Sequence, residues 1–557
     1  MDFPDYGYPA IRRIHPPSMQ SAGEFDTIIV GSGSAGCVLA DRLTQDGRRA
    51  VLLLEAGGSD RRFWIKLPIG YGRTYYDERI NWKYETAPEP ALDGRRAYWP
   101  RGKVMGGSSS INAMVYCRGM PRDYDDWRAA GNVGWGWDDV EPVFRRTERR
   151  VDAHGHVADG GPLFVSDVAR EMHPVRRHYF AAARELGLPM TDDFNGPSPE
   201  GVGTYQINVR RGMRWSAADA FLRPALRRAN LRLLTRARVH RILFKGSRAV
   251  GVVFEQDGVR FCARARGEVI LSAGAVNSPQ LLQLSGVGPA ALLQQHGISL
   301  VRDLGAVGGR LQDHIAVSYF FESSEPTLNN QLHPWHGKLW AGLRYVLARR
   351  GPLSVSVNQC GGFVRSRAGL AHPDQQLYFN PLTYSTAPEG KRPLMTPDPF
   401  AGFILCAQPC RPTSRGRIDI GSADPAAAPV IRPNYLSTQG DIDDVVAGGQ
   451  FLQRLLRTQA LRGLVKRPIA PDVGRMDADA MVADFRARSS TVFHPVGTCG
   501  MGADPRHSVV DAQLRVHGLQ GLRVVDASVF PGITSGNTNG PVIMVAQKAA
   551  DMMLAGQ

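Results

Sequence analysis

Nowhere do the 557 residues hold a run of about 18 apolar side chains, so no helix of this sequence is suited to span a bilayer. The opening residues 1–23 carry Pro, Tyr and two Arg but no apolar segment. That excludes an ordinary secretory signal and reads as a loose leader. Cysteine is sparse: seven residues, at 37, 117, 262, 360, 406, 410 and 499, an odd count with no C-x-x-C pair. They read as reduced, buried thiols of a cytoplasmic protein. Lysine is scarcer than its companion, with 8 Lys among 67 basic residues. The net charge of +15 is spread along the chain, with no basic tract interleaved with aromatics, which argues against a nucleic-acid partner. It remains compatible with weak attraction to the inner face of an anionic membrane. Internal repeats and low-complexity segments are absent as well.

What is present is globular: 43% hydrophobic and 21% charged residues, in a chain too long for one ordinary core. Residues 25–57, "FDTIIVGSGSAGCVLADRLTQDGRRAVLLLEAG", predict a buried strand over 27–30, a glycine turn, a helix over 35–43 and a second strand over 50–54. Gly31, Gly33 and Gly36 form G-x-G-x-x-G between strand and helix. The first glycine allows the tight turn, the second a close approach of pyrophosphate, the third close packing of helix on strand. Ser34 and Ala35 open the helix, whose free N–H groups and dipole favour phosphates. Glu55, followed by Ala56, ends the second strand, where a carboxylate can accept hydrogen bonds from a ribose diol. This spacing does not separate NAD from FAD.

Two further strand-like runs reinforce the pattern. "GEVILSAGAVNSPQLLQLSGVG" starts near Glu268 and turns into a helix at Gly274, and "LRVVDASVFPG" precedes the helix-like "PVIMVAQKAADMML". The stretches between are rich in Pro, Arg and aromatics. The expected architecture is mixed α/β: a Rossmann-type dinucleotide domain from 24–165, 215–316 and 481–557, interleaved with an antiparallel-sheet substrate domain from 166–214 and 317–480. A second Gly/Ser cluster, "WPRGKVMGGSSSINAMVYCRG" (99–119), lets backbone approach a large planar ligand.

Taken together, these segments resemble the glucose–methanol–choline (GMC) family of FAD-dependent alcohol oxidoreductases. The similarity runs from about Glu24 to Met553 and takes in "RGKVMGGSSSIN", "GAVNSPQLLQLSGVG", "GGRLQDH", "HPVGTCGMG" and "DASVFPGITSGNTNGP". Choline dehydrogenases and quinone-linked alkanol dehydrogenases share its "NTN-x-P" and "HPVGTC" forms. The resemblance implies FAD, with Gly31 to Gly36 at the pyrophosphate, Glu55 at the adenosine ribose and the Val239 backbone at the adenine. Gly102, Gly106, Gly107, Ser108, Ser109, Asn112, Ala113, Met114 and Val115 fall alongside the flavin, and Asp526, Ala527 and Thr538 near the phosphates and ribityl chain. Some members attach FAD through a His of the Gly/Ser cluster. Ile111 stands there, so the FAD is expected to be non-covalent.

Alcohol oxidation needs a group to take the hydroxyl proton while a hydride leaves carbon. A histidine with a near-neutral pKa suits that task. His494, heading "HPVGT", is the expected base, and Asn537 its partner, with an amide that donates to the substrate oxygen. Asn539 ranks behind it, supporting flavin or loop, and His314 reads as mainly structural. The expected activity is oxidation of a primary alcohol to an aldehyde, with electrons passed to a quinone or other acceptor. Val492, resembling a small apolar residue of some family oxidases, keeps open an oxidase that reduces O2 to H2O2. A flavin lyase or decarboxylase, or a nucleic-acid-binding protein, is a remoter reading. The sequence does not name the alcohol.

Overall fold

The computed structural model describes residues 19–158, 160–385, 396–469 and 471–556. Its first sheet is built around β1 (Gln20–Val30), with α1 (Ser34–Leu43) and β2 (Val51–Glu55) following directly. Across the sheet the strand order is Leu231–Thr235, β2, β1, β3 (Val259–Leu271), Arg248–Gln256 and Ala237–Lys245, and Leu522–Val524 also pairs with β3. The strands from Leu231–Thr235 to β3 are parallel, while the hairpin beyond is antiparallel. Ile28, Ile29 and all of β2 are buried because both faces of the sheet are covered, which is why these strands read as continuous apolar runs.

β1 begins at Gln20, inside the expected leader of 1–23; residues 1–18 lie outside the described part. Its first half shows no apolar run and is ordered by a distant partner, Gln20 lying opposite Phe261 of β3. The helix after β3, α2 (Gly274–Leu284), starts at the predicted turn.

The second sheet is wholly antiparallel, in the order Val465–Ile469, β4 (Ile315–Ser323), Gly402–Pro409, Gln375–Asn380, Cys360–Val364 and Gly201–Thr204. β4 opens two residues before the expected boundary at 317. A separate core of Phe321, Phe379, Phe403 and Leu405 packs behind this sheet. Helix α3 (Trp335–Ala348) packs beside the short helical turns Leu328–Leu332 and Pro352–Ser354, and α4 (Asn539–Ala555) returns to pack on α1. Among the described residues no helix is long and apolar enough to cross a membrane.

Candidate active site

A cavity of about 680 Å³ lies between the two sheets. One end is the glycine turn. Gly31, Gly33, Ser34 and Ala35 line it at the N-terminus of α1. Gly31 sits at φ +100°, a conformation that favours glycine. Gly36 is not on the wall. A Cβ there would stand 1.9 Å from the Gly31 carbonyl oxygen, so its part is to let helix and turn touch. From the far end of the chain, Asn539 at the start of α4 accepts a hydrogen bond from the Ser34 hydroxyl at 2.7 Å.

Glu55 and Ala56 also line the cavity. Burial raises the Glu55 pKa, while donors hold its carboxylate in place: the Ser32 N–H and hydroxyl at 2.9 Å each, and the Gly57 N–H at 2.8 Å. Val239 borders this end. Asp526 and Ala527 lie across from α1. The buried Asp526 carboxylate accepts from Gly274 N–H at 2.8 Å and the Ser278 hydroxyl at 2.6 Å, so it pins the start of α2. The Ser272 hydroxyl on this wall is buried with no hydrogen-bond partner among the described residues. A glycine cradle, a helix N-terminus and an unspent hydroxyl fit a dinucleotide diphosphate.

The Gly/Ser segment forms the long wall. Gly102, Gly107, Ser108, Asn112, Ala113, Met114 and Val115 line the cavity, with Ile111 beside them. Gly106 and Ser109 stand behind it. The Ser109 hydroxyl donates to Gly106 O at 2.6 Å and accepts from Ala217 N–H at 3.0 Å. A Cβ on Gly107 would come within 2.7 Å of Gly33 Cα, so the two glycine segments abut. Arg214 braces this wall from the buried side, donating to Ser109 O at 3.1 Å and to Asn112 Oδ1 and O at 2.8 and 2.6 Å. Nothing local in the sequence marks Arg214 for that job.

His494 and Asn537 meet at the other end. The register that sets Ile315 opposite Thr491 carries His314 and His494 together, and Val492 N–H donates to His314 O at 3.1 Å. His494 Nδ1 lies 3.0 Å from His314 Nδ1, and His314 Nε2 lies 2.7 Å from the Cys410 carbonyl. A carbonyl only accepts, so His314 carries its proton on Nε2 and presents a bare Nδ1. His494 must therefore donate from Nδ1, which leaves its Nε2 lone pair as an acceptor. That atom faces the Asn537 amide nitrogen at 3.2 Å. The Asn537 oxygen is taken by Gln376 Nε2 at 3.3 Å, which fixes the amide's orientation. His314 is thus structural in location but touches the expected base, a contact that sequence spacing does not reveal.

Burial lowers the pKa of His314 to about 4. Burial, then the neighbouring His314 and Arg101, hold that of His494 well below 6.5. Both imidazoles are neutral at pH 7. Asp313 anchors the backbone: His494 N–H donates to its Oδ1 at 2.7 Å, and Tyr435 and Thr491 hydroxyls donate to Oδ2. Burial pushes the Asp313 carboxyl up to about 6. Phe493, with φ +71°, holds left-handed backbone beside His494, secured by Arg101 donating to its carbonyl at 2.6 Å. Tyr71, Tyr75, Tyr76, Tyr384, Ile69 and Leu382 make the rest of this end apolar and aromatic, and Val492 faces the same space.

The layout of turn, Gly/Ser wall and paired histidines can be set beside known proteins. The GMC oxidoreductase family's N-terminal model matches residues 25–316 and its C-terminal model residues 412–546. The chain belongs to the GMC oxidoreductase family. It is 42% identical to an alcohol dehydrogenase [acceptor] of Pseudomonas putida, covering 95% of this chain and 96% of that one. To the mitochondrial choline dehydrogenase of Mus musculus it is also 42% identical, covering 95% and 89%. Among solved structures, pyridoxine 4-oxidase from Mesorbium loti superposes with a TM-score of 0.85 at 30% identity, covering 95% of this GMC oxidoreductase and 99% of that chain. Formate oxidase of Aspergillus oryzae gives 0.88 at 26% identity, covering 97% and 99%.

Proposed function

We propose that the protein oxidises an apolar primary alcohol to the aldehyde, with non-covalent FAD as hydride acceptor, His494 as base and an acceptor other than O2 taking the electrons. The observation that carries this reading is the Cys410–His314–His494 chain, which leaves a neutral imidazole with its lone pair aimed at Asn537. FAD, when bound, supplies the ring that accepts the hydride from the alcohol carbon. His494 Nε2 takes the hydroxyl proton, and the Asn537 amide donates to the substrate oxygen as negative charge develops on it. The tyrosine-rich lining exchanges water for the body of the alcohol and favours an uncharged, apolar one. The cavity's two carboxylates, Glu55 and Asp526, stand on the nucleotide walls, away from His494. Glu55 is assigned to the adenosine ribose, Val239 to the adenine, and the glycine turn to the pyrophosphate. The Gly/Ser wall, with Asp526, Ala527 and Thr538, holds the remainder. The buried Ile111 lacks the nucleophilic nitrogen that a covalent link would need.

The name of the Pseudomonas putida relative supports an acceptor other than oxygen. The oxidase reading rests on Val492 at the cavity wall and on the likeness to pyridoxine 4-oxidase. Hydrogen peroxide formed in stoichiometric yield in air decides for the oxidase. His494→Ala is expected to remain yellow and to lose about 10²–10⁴-fold in anaerobic flavin bleaching by an alcohol. Bleaching at the parent rate would remove His494 from the mechanism.

A further inference from the structure

Helix α3 has its apolar stripe on the outside. Only Ala341 and Tyr345 are buried, and at about 100° per residue they share one narrow face with Gly337. The opposite face carries Trp335, Leu339, Trp340, Leu343, Val346 and Leu347, exposed at 76, 65, 67, 46, 66 and 76%. Single exposed leucines are ordinary, but six large apolar side chains along one face of one helix form a patch that water covers at a cost.

Charge around the stripe is predominantly positive. Lys338 and Arg344 border it on either side, and Arg349 and Arg350 follow its end. From residue 326 to 372 the sequence contains no Asp or Glu. Glu171, from elsewhere, faces both Arg344 at 3.3 Å and Arg350 at 3.7 Å, one carboxylate against two guanidinium groups. Long basic side chains flanking a Trp- and Leu-rich face suit the boundary between acyl chains and anionic headgroups. A second copy of the chain fits less well, since a two-fold contact through this face would bring the same cations together.

The helix also stands at the cavity. Ala341 packs with Leu332 and Leu382, with Ile69 and Tyr384 at the edge of that cluster, and the last four line the aromatic end. The exposed Trp64 and Arg73 line the same cavity. We propose that α3 docks the protein in-plane onto an anionic phospholipid bilayer and brings the aromatic end of the cavity to the membrane surface. The docking holds whichever alcohol is oxidised and whichever acceptor is used.

Flotation of the purified flavoprotein with vesicles of about three parts phosphatidylcholine to one part phosphatidylglycerol tests it. The parent is expected to float. The W335S/L339S/L343S variant, with flavin absorbance and melting temperature unchanged, is expected to lose at least about tenfold in bound fraction. The charge-reversed K338E/R349E variant keeps the stripe and should lose binding to these vesicles while altering little on phosphatidylcholine alone. A parent that stays in the aqueous layer overturns the proposal, and so does a stripe variant that floats as well as the parent. Undiminished flotation of the charge variant removes the anionic surface from it. A solution mass that halves in the stripe variant, with neither protein floating, assigns the face to a second copy.

Discussion

A neutral imidazole offers a lone pair on only one nitrogen, so the direction of the His314–His494 hydrogen bond decides which atom of His494 can take a proton. The Cys410 carbonyl sets that direction through His314. Replacing His314 by Ala removes the acceptor of His494 Nδ1–H and frees the ring to adopt the other tautomer. Anaerobic flavin reduction is expected to slow about tenfold, the worth of one buried hydrogen bond at the upper end of about 0.5–1.5 kcal/mol, with flavin content unchanged. The parent should show no loss of reduction rate as pH falls from about 8 to 6.5, because burial keeps His494 unprotonated over that range. An acid limb centred near 6.5 in the stopped-flow profile would contradict this.

At the scale of elements, the β1–turn–α1 unit works by contact. The missing Cβ of Gly36 lets α1 seat against the Gly31 carbonyl. Gly36→Ala is therefore expected to yield a colourless or weakly coloured protein, with FAD content by absorbance at least about tenfold lower, because the turn must move. This unit was legible in the sequence because everything it needs lies within residues 25–57. The Gly/Ser wall was legible as a segment, but its bracing was not: Arg214 reaches Asn112 across 102 positions. The contact of His314 with His494 spans 180 positions and follows from the pairing of β4 with Ser490–Thr491, two residues that carry no strand signal. The exposed first half of β1 was missed for the same reason, since its partner is far along the chain.

At the scale of the whole molecule, charge pairs tie residues 60–66, which include the cavity-lining Trp64, to residues 219–223. Lys66 bonds Asp60 and Asp219 at 2.7 Å, and Arg223 meets the same two carboxylates at 2.6 and 2.8 Å. Burial raises the Asp219 pKa, but Lys66 and Arg223 outweigh it and leave it below the ordinary value. A depressed carboxyl stabilises the fold fully above its unfolded pKa of about 3.9 and ceases to do so as pH falls through the lower folded value. Asp219→Asn is thus expected to cost about 2 kcal/mol or more at pH 7, since two cations lose a shared partner. The difference in melting temperature from the parent should shrink toward zero in strong acid. A gap that stays constant with pH would mean the carboxylate's charge is not what matters there.

The hydrogen bond from Ser34 to Asn539 also sets a timetable for biosynthesis. Asn539 is translated 505 residues after Ser34, and α4 can cover α1 only once it has been made. The glycine turn is made well before that wall and waits for translation to reach α4. Nucleotide capture is then expected to follow synthesis of α4, and products truncated before α4 should accumulate as colourless protein prone to proteolysis.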